Sequence, residues 1–285
     1  MKNKFYIESF SQDIRSIAVA KYPELKKKTK KNDGEFLQIY IEKELVSFPK
    51  NKYEIHCSHE LLKNSFYKEN QQKIDDLLEK FKNGEPLDNY LSNKYGERDT
   101  FLYAFGMHHI HIKAKINGNF KNSDELLFFL IRDKDIYFID ISVHKEFDAI
   151  PEFLLNIIDK NWPFLLDLYE MKGFEAGHNF DNEEGMNLIK NGATIMYNVN
   201  GRCICPIGGG VMTSGHSADS ITMSMQLSRT INFYRKSLEK SHKKIIKSFR
   251  KKGISHRILK FGIKEISNNH IQFYEKQSNT GLNLT

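Results

Sequence analysis

Three β-type runs in the middle of the chain, "HHIHIKAKI", "ELLFFLI" and "DIYFIDISVH", limit the possible folds more than any other feature. The joints between them, "NGNFKNSD" and "RDKD", are short and polar. A parallel pair needs a crossover of roughly a dozen residues or more, so joints this short predict antiparallel neighbours. The simplest result is a three-stranded meander.

Helical periodicity surrounds the meander. Ile7, Phe10, Ile14, Ile17 and Ala18 predict an amphipathic first helix, stopped at Tyr22-Pro23. Apolar positions 61, 62, 66, 74, 77, 78 and 81 predict one helix from His59 to Phe81, ending at Asn83-Gly84. A short helical turn is expected over Pro86–Ser92, and "FLQIYIEKE" and "KYEIHCS" read as two strands. Beyond the meander, Ile150–Ile158 predicts a helix that Asn161-Trp162-Pro163 ends. Asp181 and Glu184 have the spacing to cap a helix Glu183–Lys190, which Asn191-Gly192 closes. Asn200-Gly201, between "TIMYNV" and "RCICPI", is the strongest hairpin signal in the chain. A stripe of Leu227, Ile231, Tyr234, Leu238, Ile245 and Phe249 predicts a long helix, and the terminal "SNTGLNLT" is expected to be loose. The expected class is α+β: a central antiparallel β-meander sheet flanked by helices, with a C-terminal β-hairpin and a long basic helix. The expected division is 1–96, an N-terminal helical and mixed region, and 97–285, the sheet core with hairpin and basic helix.

At 285 residues, 40% hydrophobic and 12% aromatic, the chain has ample material for a core. Its longest apolar run, Leu126–Ile131, falls far short of the roughly 20 residues of a membrane span. The first residues, MKNKFYIESF, contain charges and no apolar core of a signal peptide. Three cysteines make no disulfide framework. A cytoplasmic protein without membrane association is therefore expected.

The net charge of +7 is unevenly placed. Arg235–Lys260 holds eleven Lys or Arg and one acid, Glu239, a balance of +10. The remainder has 32 basic against 35 acidic residues, or −3. Such asymmetry points to nucleic acid or another acidic surface, with Arg235, Lys243, Lys244, Lys247, Arg250 and Lys251 as candidate phosphate contacts. The plain alternative is a solvated helix face.

"GMHHIHI" places three histidines within four residues. On a strand, His109 and His111 share one face while His108 and Ile110 share the other. A metal would need a third ligand, yet His144, His178 and His216 lack ligand-type spacing to one another. There is no His-Glu-x-x-His, and Cys203-x-Cys205 has no second cysteine pair. Neither a metal nor another cofactor is expected, although a metal-dependent hydrolase on the His-x-His strand stays as an alternative. RNA can be cut without metal when a base takes the 2′-hydroxyl proton, an acid protonates the leaving oxygen and a cation steadies the phosphorane. His109, His111 and His144 are candidates for the proton steps, and Lys113 and Arg132 for the charge. The competing reading is a half-exposed strand whose histidines bond neighbouring loops.

The glycine stretch "PIGGGVMTSGHSADS" joins a strand to the long helix. Glycines permit close backbone approach, and a helix N-terminus offers free N–H groups. Gly208, Gly209, Gly210, Ser214, Gly215 and Ser217 are thus candidate phosphate ligands, with a structural turn and capping serines as the alternative. The loop lacks the Gly-Lys-Ser/Thr ending of a P-loop, which argues against nucleotide hydrolysis.

Taken together, "LDNYLSNKYG", "FGMHHIHI", "DELLFFLIRDKDIYFIDISVHKEF", "NWP" and "CPIGGGVMTSGHS" resemble a bacterial protein family with a Gly-x-His-His-x-His-Leu motif, across about residues 85 to 230. The family has Leu where this chain has Ile112. The resemblance implies a setting of phage resistance or toxin–antitoxin pairs, with an antitoxin or a phage or host protein as a further partner. The meander with histidines is similar in fold to RelE-like toxin ribonucleases. Arg235 and His242 also satisfy the loose Arg-x(4–6)-His pattern of HEPN ribonucleases. The expectation is a metal-independent ribonuclease or RNA binder of bacterial defence or growth control. A non-catalytic module that docks on nucleic acid or protein is the rival from another class.

Overall fold

The computed structural model describes residues 4–7, 10–47, 51–91, 99–115, 125–143, 152–176, 182–254, 258–267 and 270–282. In chain order it opens with β1 (Lys4–Ile7), α1 (Phe10–Lys21), α2 (Asp33–Val46) and β2 (Glu54–Cys57). Then come α3 (His59–Lys63), α4 (Ser65–Glu69), α5 (Gln71–Asn83), α6 (Thr100–Phe105) and the meander strands β3 (His108–His111), β4 (Glu125–Arg132) and β5 (Asp135–Val143). After them lie α7 (Glu152–Asn161), α8 (Asn182–Lys190), β6 (Tyr197–Val199), β7 (Arg202–Ile204) and α9 (Ala218–Lys251). β8 (Ile258–Ser267), β9 (His270–Glu275) and β10 (Thr280–Leu282) close the described chain. The chain forms two compact units, one from 1–41 with 221–285 and the other from 42–220. The expected boundary at 96/97 lies outside the described residues.

In the 42–220 unit, the expected meander forms: β3 pairs β4, and β4 pairs β5, both antiparallel. β2 adds a fourth strand, parallel to β5, so the sheet runs β2-β5-β4-β3 with β2 and β3 at its edges. Both faces are covered, which is why "ELLFFLI" reads as a continuous apolar run. Leu126, Phe128, Leu130, Tyr137 and Ile139 pack with residues of α6, α7 and the hairpin. Ile110, Leu127, Phe129, Ile136 and Phe138 pack with Leu61, Ile74, Leu77 and Phe81. β6 and β7 form the hairpin over Asn200 and Gly201, whose φ of 52° and 83° are the left-handed pair a tight hairpin turn demands.

The other unit has its own four-stranded sheet, β1-β8-β9-β10. Phe261, Ile263 and Phe273 are buried in it. α9 packs Phe249 against Leu259 and Phe261, and sets Tyr234 against Phe273 in a tilted pair, ring centroids 5.2 Å apart.

Four expectations need correction. Ile7, expected in the first helix, lies in β1, and α1 starts at Phe10. "FLQIYIEKE" is helical, part of α2. Buried Phe36, Leu37, Tyr40 and Ile41 recur with helical period, and the Asn32 side chain accepts the Glu35 N–H at the helix start. The helix expected over His59–Phe81 is broken into α3, α4 and α5. Asn64 ends the first and caps the second through its bond from Phe66 N–H, and Asn70 ends the second. The C-terminal "SNTGL" is ordered: Glu275 accepts from the backbone and hydroxyl of Ser278, and Thr280–Leu282 pairs with β9. The expected cap at Asp181 lies outside the described residues, as do His144 and His178.

Candidate functional site

On β3, His109 and His111 share a face as the alternation requires, and the register sets them opposite Phe128 and Leu126. That face is core. His111 is buried, and His109 lies edge-on to Phe101, ring centroids 6.2 Å apart. His108, on the other face, stacks on Phe129 at 5.5 Å. Burial, then the neighbouring His109 and Arg132, push the His108 imidazole down to about 3.

Arg132 and Lys113 lie near opposite ends of β4. Lys113 is 3.6 Å from Glu125, beside His111. Arg132 is six residues further along β4 than Leu126, the partner of His111, about 20 Å by strand rise. Its guanidinium donates to the Tyr169 hydroxyl and the Ile131 carbonyl. The structure therefore sets Lys113 at the His111 end of the strand and Arg132 toward His108, apart from His111.

The glycine loop is packed. The amides of Gly208, Gly209, Gly210 and Gly215 donate to the carbonyls of Ala104, Pro206, Tyr103 and Met212. A Cβ on Gly208 would stand 2.2 Å from the Leu102 carbonyl oxygen, so this glycine serves close backbone approach. The N-terminus of α9 already holds an anion, the protein's own Glu42. One Glu42 carboxylate oxygen accepts the Ser217 N–H at 3.1 Å and the Ser220 hydroxyl at 3.3 Å, with His216 Nδ1 at 2.9 Å. Glu42, Ser217 and Ser220 are all buried. Ser214 is exposed in the turn before this cap. A phosphate would have to displace bonds the fold already makes.

α9 presents a different surface. Ile231, Leu238 and Phe249 form its buried stripe. At about 100° per residue, Arg229, Lys236, Lys240, Lys243, Lys247 and Lys251 all fall within about 40° of the direction opposite Leu238. Lys244 and Arg250 flank that row, and all eight side chains are exposed. With 22 residue steps from Arg229 to Lys251, the row is about 33 Å long. Past the first turn the helix has one acid, Glu239, which lies off the row and pairs with Arg235 at 3.3 Å. His242 Nδ1 meets the Glu239 carbonyl at 2.8 Å. The Arg235–His242 pattern is thus joined through one glutamate. Phe233, 66% exposed, stands on the basic face.

Sequence reasoning passed over one further cluster. Glu54 and His56 of β2 lie beside Asp135 and Tyr137 of β5, and His56 Nε2 is 2.8 Å from Asp135 Oδ1. The Glu-x-His alternation in "KYEIHCS" was the available signal; Asp135, in the "RDKD" joint, is supplied only by strand pairing.

The chain matches no protein-family model, no curated protein and no solved structure. Among the described residues, no helix is long and apolar enough to cross a membrane.

Proposed function

We propose that this protein binds single-stranded RNA along the exposed face of α9. The observation that carries the reading is the placement of the charge: eight cations on the face opposite the buried stripe, with no acid among them. Phosphates neutralise such a row through counterion release, and an aromatic side chain within it offers a platform for a base. Phe233 is that platform. The apolar side of α9 is used inside its own unit, so the exposed face is the one that recognises charge.

Filter binding of one RNA across a salt series tests this. Replacing Lys243, Lys244, Lys247 and Lys251 with Ser is expected to flatten the log–log salt slope by about three units, at about 0.7 per contact. Phe233→Ala is expected to weaken binding about tenfold with the slope unchanged, as loss of one stacked base implies. Equal slopes for wild type and the quadruple variant would overturn the proposal.

A further inference from the structure

We propose that Glu54, His56 and Asp135 form a binding site for a divalent transition-metal ion of the zinc and manganese class. Each offers one ligand atom, and these atoms lie within 4.8 Å of one another. Among the described residues, no other set of three His, Cys, Asp or Glu side chains meets that condition.

The fold imposes the cluster. Alternation along β2 puts Glu54 and His56 on one face, and the parallel register sets Glu54 beside Asp135 and His56 beside Tyr137. The His56 ring stacks on Tyr137, centroids 4.7 Å apart and planes 15° from parallel. That stacking holds Nε2 toward Asp135. Two donors bound about 2.0–2.1 Å from a tetrahedral ion stand about 3.3 Å apart, so the 2.8 Å His56–Asp135 pair needs to open by about half an ångström. Both side chains are about one-third exposed, which leaves them room to do so.

The local charge asks for a cation. Among the described residues Glu54 makes no ion pair. Arg132, opposite Asp135 in the register, directs its guanidinium to Tyr169 and Ile131. The Tyr137 hydroxyl is held above its ordinary value first by burial, then by Asp135 and Glu54, with the Arg132 cation opposing them. One imidazole nitrogen and two carboxylate oxygens favour zinc or manganese over calcium, and without thiolate they do not select copper(I). Three protein donors at a solvent-facing strand edge leave coordination positions for water or a substrate oxygen.

The test is calorimetric titration of the chelator-stripped full chain with zinc alone, then manganese alone. One saturable site is expected, tighter for zinc than for manganese. His56→Ala is expected to weaken binding at least tenfold, and Glu54→Gln, an exposed change that keeps the fold, also at least tenfold. His59→Ala, next to β2 but outside the cluster, is expected to bind like wild type. Zinc is also expected to raise the melting temperature of wild type and not of His56→Ala. Absence of saturable zinc binding, or wild-type affinity in folded His56→Ala or Glu54→Gln, overturns the site. The titration contains no RNA, so its outcome is independent of the role of α9.

Discussion

The two edges of the meander sheet both carry histidine, and they put it to different use. β3 has three, one against Phe129, one beside Phe101 and one buried. β2 has one, stacked on Tyr137, about one-third exposed and facing a carboxylate at 2.8 Å. The denser edge has the weaker claim to chemistry. Burial holds the His108 imidazole in its neutral form, whereas the imidazole of His56 stands at an open edge beside two carboxylates and can bind a cation. Partners and exposure decide what a histidine does, and the number of histidines does not.

That contrast can be broken most decisively with acid. The folded His108 keeps its neutral form down to about pH 3, while an unfolded histidine takes a proton near pH 6.5. A depressed folded value means that the unfolded state binds more protons as pH falls. Stability should be intact above about pH 6.5 and fall by about 1.4 kcal/mol per unit below it, or about 2–3 kcal/mol by pH 4.5. Urea unfolding of wild type beside His108→Phe measures it, the phenylalanine variant showing the shallower acid limb. Identical limbs would mean that β3 is as open as β2.

Side-chain removal gives the next largest separation. His111→Ala should cost about 2 kcal/mol by emptying a buried position, and His56→Ala less than about 1 kcal/mol in metal-free buffer. Equal losses in chemical denaturation would erase the distinction between the edges.

The same opposition runs along α9, closed at its start by Glu42 and open on its basic face. Glu42→Ala should destabilise by about 1–2 kcal/mol, because the buried Ser217 amide loses its acceptor and His216 Nδ1 its partner. Lys243→Ser should change stability by less than about 0.5 kcal/mol while weakening RNA binding. A large stability loss from Lys243→Ser, read from thermal melts, would mean that the basic face is structural.

Local rules alone determined several parts of this protein. Asn200-Gly201 specified its hairpin, since few residue pairs tolerate two left-handed φ values. Short polar joints specified the antiparallel meander, and the period of Ile231, Leu238 and Phe249 specified a long helix with its cations outside. Tertiary structure decided the rest. Whether the His109 face met water or Phe101 depended on what packed over it, which no alternation pattern records. The α9 N-terminus was occupied by Glu42, 175 residues before Ser217. His56 and Asp135, 79 residues apart, became neighbours only because β2 joined β5 in parallel, a non-local pairing carried by backbone hydrogen bonds with no short-range sequence mark.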